Sequence, residues 1–163
     1  MTTNPSSAQD DATTPPDAPA LLRAHGLRRT TSRVCTLTML SASRRHLSSA
    51  EACAELHRRG TPFDPATVYR TLESLTAVGL THVVHAPGPK RYGVSSEPHH
   101  HTVCEQCGQV SDVAGDHVKA AVEQVARLTG LSPDSSGSLL VYGRCTACAQ
   151  GSGEPVRGGA EGG

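Results

Sequence analysis

The stretch His99-His100-His101-Thr102-Val103-Cys104-Glu105-Gln106-Cys107 is rich in metal-binding side chains, since it holds three of the nine histidines and two of the six cysteines. A second pair of cysteines, in Cys145-Thr146-Ala147-Cys148, lies near the end of the chain. Two Cys-x-x-Cys pairs can form one closed tetrahedral thiolate site, which zinc fills well. The sequence therefore predicts a structural zinc ion whose ligands are Cys104, Cys107, Cys145 and Cys148.

The segment between the two cysteine pairs is 37 residues long. It must therefore fold as a unit whose two ends are joined by the metal. The histidines before Cys104 are a separate feature. Alternate residues of a strand project to the same face, so His99 and His101 lie together while His100 points to the opposite face. Two imidazoles beside a closed thiolate site indicate a second, exchangeable metal site, and hence a metal sensor.

Charge is divided unevenly along the chain, although its formal net charge is zero. Residues 21–92 carry eleven Lys and Arg against four Asp and Glu, whereas residues 93–163 carry four against eight. A basic first half indicates a polyanionic partner such as nucleic acid. The chain has no Trp and one Phe, so a metal ion or a dimer interface would help to stabilise its small core.

The first half carries the signals of four helices followed by a hairpin. Helices are predicted to start near Ala20, at Thr30 or Thr31, at Ser48 or Ser49, and at Asp64-Pro65, where each of the last three starts has a residue suited to the N-cap. Two short segments rich in β-branched residues, Leu80–His85 and Arg91–Val94, flank the turn Pro87-Gly88-Pro89. This order predicts a winged helix, whose helix-turn-helix places its second helix in the major groove of DNA.

The second half alternates strands with one helix. Strands are predicted at Thr102–Val103, Gln109–Val113 and Ser138–Arg144. The helix His117–Leu128 is predicted to turn its apolar face inward, and that face comprises Val118, Ala121, Val122, Val125 and Leu128. The predicted fold class is therefore α+β: a winged helix-turn-helix domain (20–95) followed by a small α/β domain with a four-cysteine zinc site (96–148). A disordered tail (1–19) precedes these domains, and a flexible glycine-rich tail (149–163) follows them.

Three motifs, in this order along the chain, resemble the ferric uptake regulator (Fur) family. They are Gly26-Leu27-Arg28-Arg29-Thr30 with Arg33, then Thr67-Val68-Tyr69-Arg70-Thr71-Leu72, and then the His-rich approach to Cys104-x-x-Cys107-Gly108. The resemblance spans roughly residues 20–148. It implies a homodimer, formed through the second domain, whose metal-loaded form binds palindromic double-stranded operator DNA and represses transcription, with zinc or iron homeostasis as the expected role.

The helix that opens at Asp64 is the expected DNA-reading element. Arg70 can pair with guanine or phosphate, and the ring of Tyr69 can contact a thymine methyl group. The alternative is an ordinary packed helix with a solvated polar face. We predict a DNA-binding set that comprises Arg28, Arg33, Thr67, Tyr69 and Arg70, of which Arg28 and Arg33 are interpreted as phosphate or minor-groove contacts.

The family pattern also implies a regulatory site between the two domains. Carried over to this chain, it gives His46, His99, His101 and Asp112 as ligands of a divalent metal, with Zn²⁺ or Fe²⁺ expected. The family's remaining ligand, an acidic residue or Cys near the end of the wing, falls on or near Gly93 and is absent. Glu97, His82 and His85 are the alternative donors. Surface histidines that bind no metal are the remaining alternative.

Two alternatives stay within the family: a peroxide sensor, in which an iron ligand such as His46 or His99 is oxidised, and a metal-independent regulator. The alternative from another class is a zinc-dependent enzyme. Such an enzyme needs a zinc ion with an open position and a general base, whereas the four-thiolate site is closed, so we expect no enzymatic activity. No apolar run approaches the roughly 18 residues of a membrane span. No signal peptide is apparent, so we expect a cytoplasmic protein.

Overall fold

Side-chain caps set the starts of the first helices. We describe the protein from a computed structural model over residues 17–43, 45–95, 99–132 and 138–151. Its first four helices are α1 (Ala18–Ala24), α2 (Thr31–Ser43), α3 (Ser49–Arg58) and α4 (Pro65–Ala77). Ser48 and Asp64 accept hydrogen bonds from the backbone N–H groups of Glu51 and Thr67, at 3.2 and 2.9 Å. These bonds satisfy amide groups that have no partner inside the helix.

Helix α1 begins two residues earlier than the sequence predicted, at Ala18 instead of Ala20. The side chain of Asp17 accepts a hydrogen bond from the N–H of Ala20, at 3.3 Å, and Ala18 is buried against the core. Residues 17–19, which the sequence assigned to a disordered tail, are therefore part of the fold. Residues 1–16, and residues 152–163 of the second predicted tail, lie outside the described residues.

A two-stranded wing follows the helices. Strand β1 (Thr81–Val84) pairs antiparallel with β2 (Arg91–Val94), in a register that places His82 opposite Gly93. The loop before α3 is joined to this wing, because Leu47 and Tyr92 exchange backbone hydrogen bonds of 3.1 and 2.9 Å. The neighbouring His46 is thereby held beside the wing.

Leucines from all four helices form the core of this first half, in two adjoining clusters. One cluster packs α2, α3, α4 and the wing around Leu40, Leu56, Leu72 and Tyr92. Tyr92 is 1% exposed, and its hydroxyl donates a 2.6 Å hydrogen bond to the carboxylate of Glu73 on α4. The wing and α4 are therefore joined through both apolar contact and a hydrogen bond.

The second half is a three-stranded sheet with one long helix. Its elements are β3 (His99–Cys104), β4 (Val110–Ala114), α5 (Gly115–Thr129), β5 (Leu140–Gly143) and α6 (Thr146–Ala149). The strand order is β4-β3-β5, with β3 antiparallel to β4 and parallel to β5. Strand β3 is thus central, and it carries histidines at its start and Cys104 at its end.

The inward face predicted for α5 is only partly covered in the single chain. Val118 and Val122 are half-buried and Ala121 is exposed, while Val125 and Leu128 are 50% and 78% exposed. The small sheet presents too little surface to cover a helix of 15 residues. Other apolar side chains of this half are exposed as well, namely Leu131, Leu139, Val141 and Tyr142. Among the described residues, no helix is both long and apolar enough to cross a membrane.

Candidate metal centres and nucleic-acid interface

The four cysteines of the two Cys-x-x-Cys pairs meet at one point. We refer to Cys104, Cys107, Cys145 and Cys148 as the four-cysteine group. Their sulfur atoms all lie within 4.8 Å of one another. The Sγ atoms of Cys107 and Cys145 are 3.8 Å apart. Zn–S bonds of about 2.3 Å place tetrahedral sulfur ligands about 3.8 Å apart. The group therefore fits a structural zinc ion, as the sequence predicted.

Thiol ionisation in this group also fits a bound cation. Backbone N–H groups of Cys145 and Cys107 lower the pKa of Cys104 to about 6, and the Cys145 N–H lies 3.3 Å from its sulfur. Burial and the neighbouring thiols raise the pKa of Cys148 to about 12. One thiol is thus ready to ionise while burial makes another resist, and a bound cation would favour the thiolate form of both.

A second group gathers side chains from both halves of the chain. His46 precedes α3, His82 lies on β1, and His99 and His101 lie on β3. We refer to these four residues as the four-histidine group. One ring nitrogen from each of them lies within 4.8 Å of the others. Nitrogens on one tetrahedral zinc ion are about 3.3 Å apart, so small side-chain rotations suffice to enclose a metal. The donor set therefore fits a borderline divalent ion.

The predicted ligand Asp112 lies behind this group, where it contacts the outer nitrogens. Its Oδ1 is 3.2 Å from the Nδ1 of His101, to which it is hydrogen-bonded. The same oxygen is 3.2 Å from the Nδ1 of His46, at an angle that leaves this buried nitrogen without a hydrogen bond among the described residues. A carboxylate in this position orients imidazole ligands and raises their basicity.

Two pKa shifts describe the electrostatics of the site. Burial lowers the pKa of His82 to about 4, with a further contribution from the neighbouring imidazoles. His82 is therefore neutral near physiological pH, which is the form that binds a metal. Burial works to raise the pKa of Asp112, but the hydrogen bond with His101 and the nearby His46 hold it well below its usual range. Asp112 is thus ionised beside the imidazoles of His46 and His101.

The other donors considered from the sequence take different positions. His85 lies beyond the end of β1, where its backbone carbonyl accepts a 3.2 Å hydrogen bond from the hydroxyl of Tyr142. Glu97 lies outside the described residues. His100 points away from the four-histidine group, and its Nδ1 accepts a 2.9 Å hydrogen bond from the N–H of Leu139. Of the alternatives that lie within the described residues, His82 is the one that reaches the site.

Most of the predicted DNA-binding residues line a cavity of ≈ 330 Å³ between α2 and α4. Its lining includes Arg28, Arg33, Thr67 and Arg70. Tyr69 projects from α4 with 45% of its surface exposed. Arginines and hydroxyl groups around one concave surface provide the donors that phosphate oxygens require.

The arginines at this cavity differ in how they are held. Arg33 donates to the backbone carbonyl of Arg28 at 3.2 Å and to the hydroxyl of Ser74 at 3.1 Å. Arg33 therefore joins the basic connector to α4. The guanidinium groups of Arg28 and Arg70 make no hydrogen bond or ion pair within the part of the chain that the structure describes. These two remain available to an anionic ligand.

The four-cysteine group generates the first test. Cys145→Ser should lower the zinc content of the purified protein and destabilise the second half by several kcal/mol, because structural zinc binding contributes directly to folding. Metal analysis and thermal unfolding measure both effects. Cys35→Ala is the matched control, since the half-buried Cys35 lies on α2, far along the chain from both pairs. A parent protein that is zinc-free yet fully folded would contradict the assignment.

Comparisons with known proteins agree with this geometry. The family model described as "Ferric uptake regulator family" matches residues 24–137. The zinc uptake regulation protein of Mycobacterium tuberculosis is 36% identical over 129 residues, which cover 78% of this chain and 98% of the relative. The peroxide-responsive repressor PerR of Staphylococcus saprophyticus is 28% identical over 133 residues, or 81% of this chain and 89% of that protein.

Solved structures agree as well. The crystal structure of the Vibrio cholerae ferric uptake regulator matches with a TM-score of 0.66 and 29% identity, over 79% of this chain and 100% of that one. The fold class predicted from the sequence and the family resemblance are both confirmed. The chain belongs to the ferric uptake regulator family of metal-responsive transcriptional regulators.

Proposed function

We propose that this protein is a homodimeric repressor that binds operator DNA when the four-histidine group holds a divalent metal, with zinc the expected ion. One observation carries the proposal. His46 and His82 belong to the winged-helix half, whereas His99 and His101 belong to the sheet half, and their ring nitrogens lie within 4.8 Å of one another. A bound divalent cation would supply the positive charge that draws the four imidazoles together.

Contacts of His46 connect this site to the DNA-binding elements. The backbone carbonyl of His46 accepts a 3.3 Å hydrogen bond from Arg91 on the wing. The same Arg91 nitrogen donates at 2.9 Å to Glu51, which caps α3. The next residue, Leu47, is paired with Tyr92 through the backbone. The position of His46 is therefore tied to the wing and to α3, so the site can select the orientation of the whole winged helix.

The donor chemistry supports zinc. Four imidazoles form a set that suits zinc better than the hard, oxygen-preferring cations. Non-haem Fe(II) centres combine histidines with a carboxylate ligand, whereas Asp112 contacts the outer nitrogens of His101 and His46. The 36% identical relative is named a zinc uptake regulation protein. A role in zinc homeostasis is therefore favoured over the iron-based and peroxide-responsive alternatives.

The exposed apolar side chains of α5 and β5 support a homodimer. Val125, Leu128, Leu139, Val141 and Tyr142 are all at least 38% exposed in the single chain. Several exposed apolar side chains in one small domain are typical of a protein interface. A second copy of this chain, placed on the same surface, satisfies the symmetry of a palindromic operator.

Arg70 provides the test of the DNA interface. Arg70→Ala should weaken operator binding by roughly 1–3 kcal/mol if the side chain reads a base edge. Affinity should also fall steeply as salt rises, because basic side chains displace counterions from phosphate. Fluorescence anisotropy with operator DNA over a salt series measures both. Arg58→Ala is the control, since Arg58 pairs with Glu55 on α3 and does not line the cavity. If the Arg70 variant and the parent bind operator DNA with equal affinity, an element other than α4 contacts the groove.

His101 provides the test of metal control. His101→Ala should keep the fold and the zinc of the four-cysteine group, yet require more metal for DNA binding, by a coupling on the order of 1–3 kcal/mol. The measurement is operator binding after chelation, during titration with each divalent metal in turn. His100→Ala is the matched control, because the adjacent imidazole faces away from the group and would lose one hydrogen bond to Leu139. If variants of His46, His99 and His101 all respond like the parent, metal acts elsewhere.

Leu128 provides the test of the dimer. Leu128→Asp should shift the protein towards monomer, because a carboxylate would be desolvated at the centre of an apolar interface. Sedimentation equilibrium measures the change in dissociation constant. Lys119→Asp is the control, since Lys119 is also exposed on α5 but lies on the side of the helix opposite Leu128. A dimer that withstands the Leu128 change, or dissociates equally in both variants, would rule out this surface.

A further inference from the structure

Gly93 on the wing lies directly beneath the imidazole of His46. A Cβ atom at this position would be 2.2 Å from the Nε2 of His46, 2.6 Å from its Cδ2 and 2.8 Å from its Cε1. All three separations are shorter than the 3.0 Å below which real Cβ contacts are essentially never found. Any side chain at position 93 would therefore displace the donor atom of His46.

The glycine is required here for space and not for backbone conformation. Gly93 lies inside strand β2 and is absent from the glycines with positive φ. Glycine inside a strand often marks the close approach of another group. Gly143 is a useful contrast, because it also lies in a strand without a positive φ, and a Cβ there would meet nothing within 4 Å.

The partner of Gly93 across the wing is His82, which supplies the imidazole that β2 does not provide. The Nε2 of His82 is 2.8 Å from the Nε2 of His46. Its other nitrogen lies 3.4 Å from the hydroxyl of Ser95. The Nε2 atoms of His46 and His82 thus converge over the bare backbone of Gly93.

We propose that Gly93 determines the metal selectivity of the regulatory site. Because Gly93 has no side chain, the imidazole of His46 has room to enter the site. The wing then contributes His82 as its donor, and position 93 contributes no carboxylate. This inference rests on the proposed function, in which the four-histidine group holds the regulatory metal. The resulting set of four neutral nitrogen donors favours zinc over Mn²⁺, which prefers oxygen ligands.

An aspartate at position 93 should reverse this preference in part. It would bring a carboxylate into the site and at the same time push the Nε2 of His46 away. The ratio of Zn²⁺ affinity to Mn²⁺ affinity is the informative quantity, because most nitrogen and oxygen sites bind zinc more tightly than manganese. A change in that ratio reports the donor set and is independent of overall affinity.

The experiment uses full-length protein with zinc in the four-cysteine group and with no DNA present. Parent, Gly93→Ala, Gly93→Asp and the control Gly143→Ala are titrated with Zn²⁺, Mn²⁺ and Co²⁺ alone. Calorimetry gives the affinities, and the visible absorption of Co²⁺ reports the number and type of donors. We expect Gly93→Ala to lose about a hundredfold or more in Zn²⁺ affinity, above the roughly 10–100-fold that loss of an outer-shell partner costs. We expect Gly93→Asp to lower the Zn²⁺/Mn²⁺ ratio at least about tenfold, and Gly143→Ala to match the parent.

Parent-like Zn²⁺ affinity and an unchanged Co²⁺ spectrum in Gly93→Ala would overturn the proposal. His82→Ala gives a second, independent test, because it adds no atoms and should fold even if the Gly93 variants do not. It should lose one nitrogen donor from the Co²⁺ spectrum, and an unchanged spectrum would also overturn the proposal. Failure of the proposed function is recognised separately: parent protein that binds operator equally with and without metal would refute metal control while leaving these titrations interpretable.

Discussion

The central strand β3 is the element on which both metal groups depend. It forms hydrogen bonds with β4 on one side and β5 on the other. Its alternation directs His99 and His101 to one face and His100 to the other, and its last residue is Cys104. The register with β4 places His101 opposite Asp112, and the register with β5 ends where the second cysteine pair begins. A slip of one residue would turn every one of these side chains to the wrong face.

Few side chains of the second half are buried in the single chain. Among the described residues after the wing, the buried side chains are His101, Val103, Cys104 and Cys148. Three of these four are potential metal donors, and α5 contributes no buried residue at all. An apolar core of this size cannot offset the conformational entropy lost on folding. Zinc binding therefore contributes to the stability of this half, and the proposed homodimer would contribute further by covering the exposed α5 surface.

Local features of the fold could be predicted from the sequence, because the interactions that fix them are local. The capping box at Ser48, the N-cap at Asp64 and the convergence of the two cysteine pairs follow from spacing alone. The start of α1 was predicted two residues late, since Asp17 was not recognised as its cap. The burial of the apolar face of α5 was overestimated. Helical spacing of apolar residues shows that one face is apolar, but it does not show whether the same chain or another one covers that face.

The four-histidine group was harder to predict because it depends on contacts between distant segments. The family pattern implied His46, His99, His101 and Asp112, and the sequence offered His82 on the wing only as an alternative donor. The pairing of His82 with Gly93 comes from the register of the wing. The outer position of Asp112 comes from the packing of a loop before α3 against β4. Neither of these two contacts leaves a periodic signal in the sequence. The glycine at position 93 is a signal in retrospect, because the imidazole of His46 occupies the space that a side chain there would fill.

The two groups differ in charge, and this difference allows one chain to keep one metal while it responds to another. Four cysteines bind as thiolates, so their site attracts zinc with negative charge and closes its coordination shell. In the proposed regulatory site four histidines would bind as neutral rings, with the outer Asp112 as the anionic group beside them. Because anionic donors hold a divalent ion more strongly than neutral ones, the four-cysteine group stays filled at metal concentrations at which the four-histidine group is still being titrated. A structural site that emptied first would unfold the second half before the proposed regulatory site could respond, so sensing by this chain requires that the thiolate site hold its metal more tightly than the imidazole site.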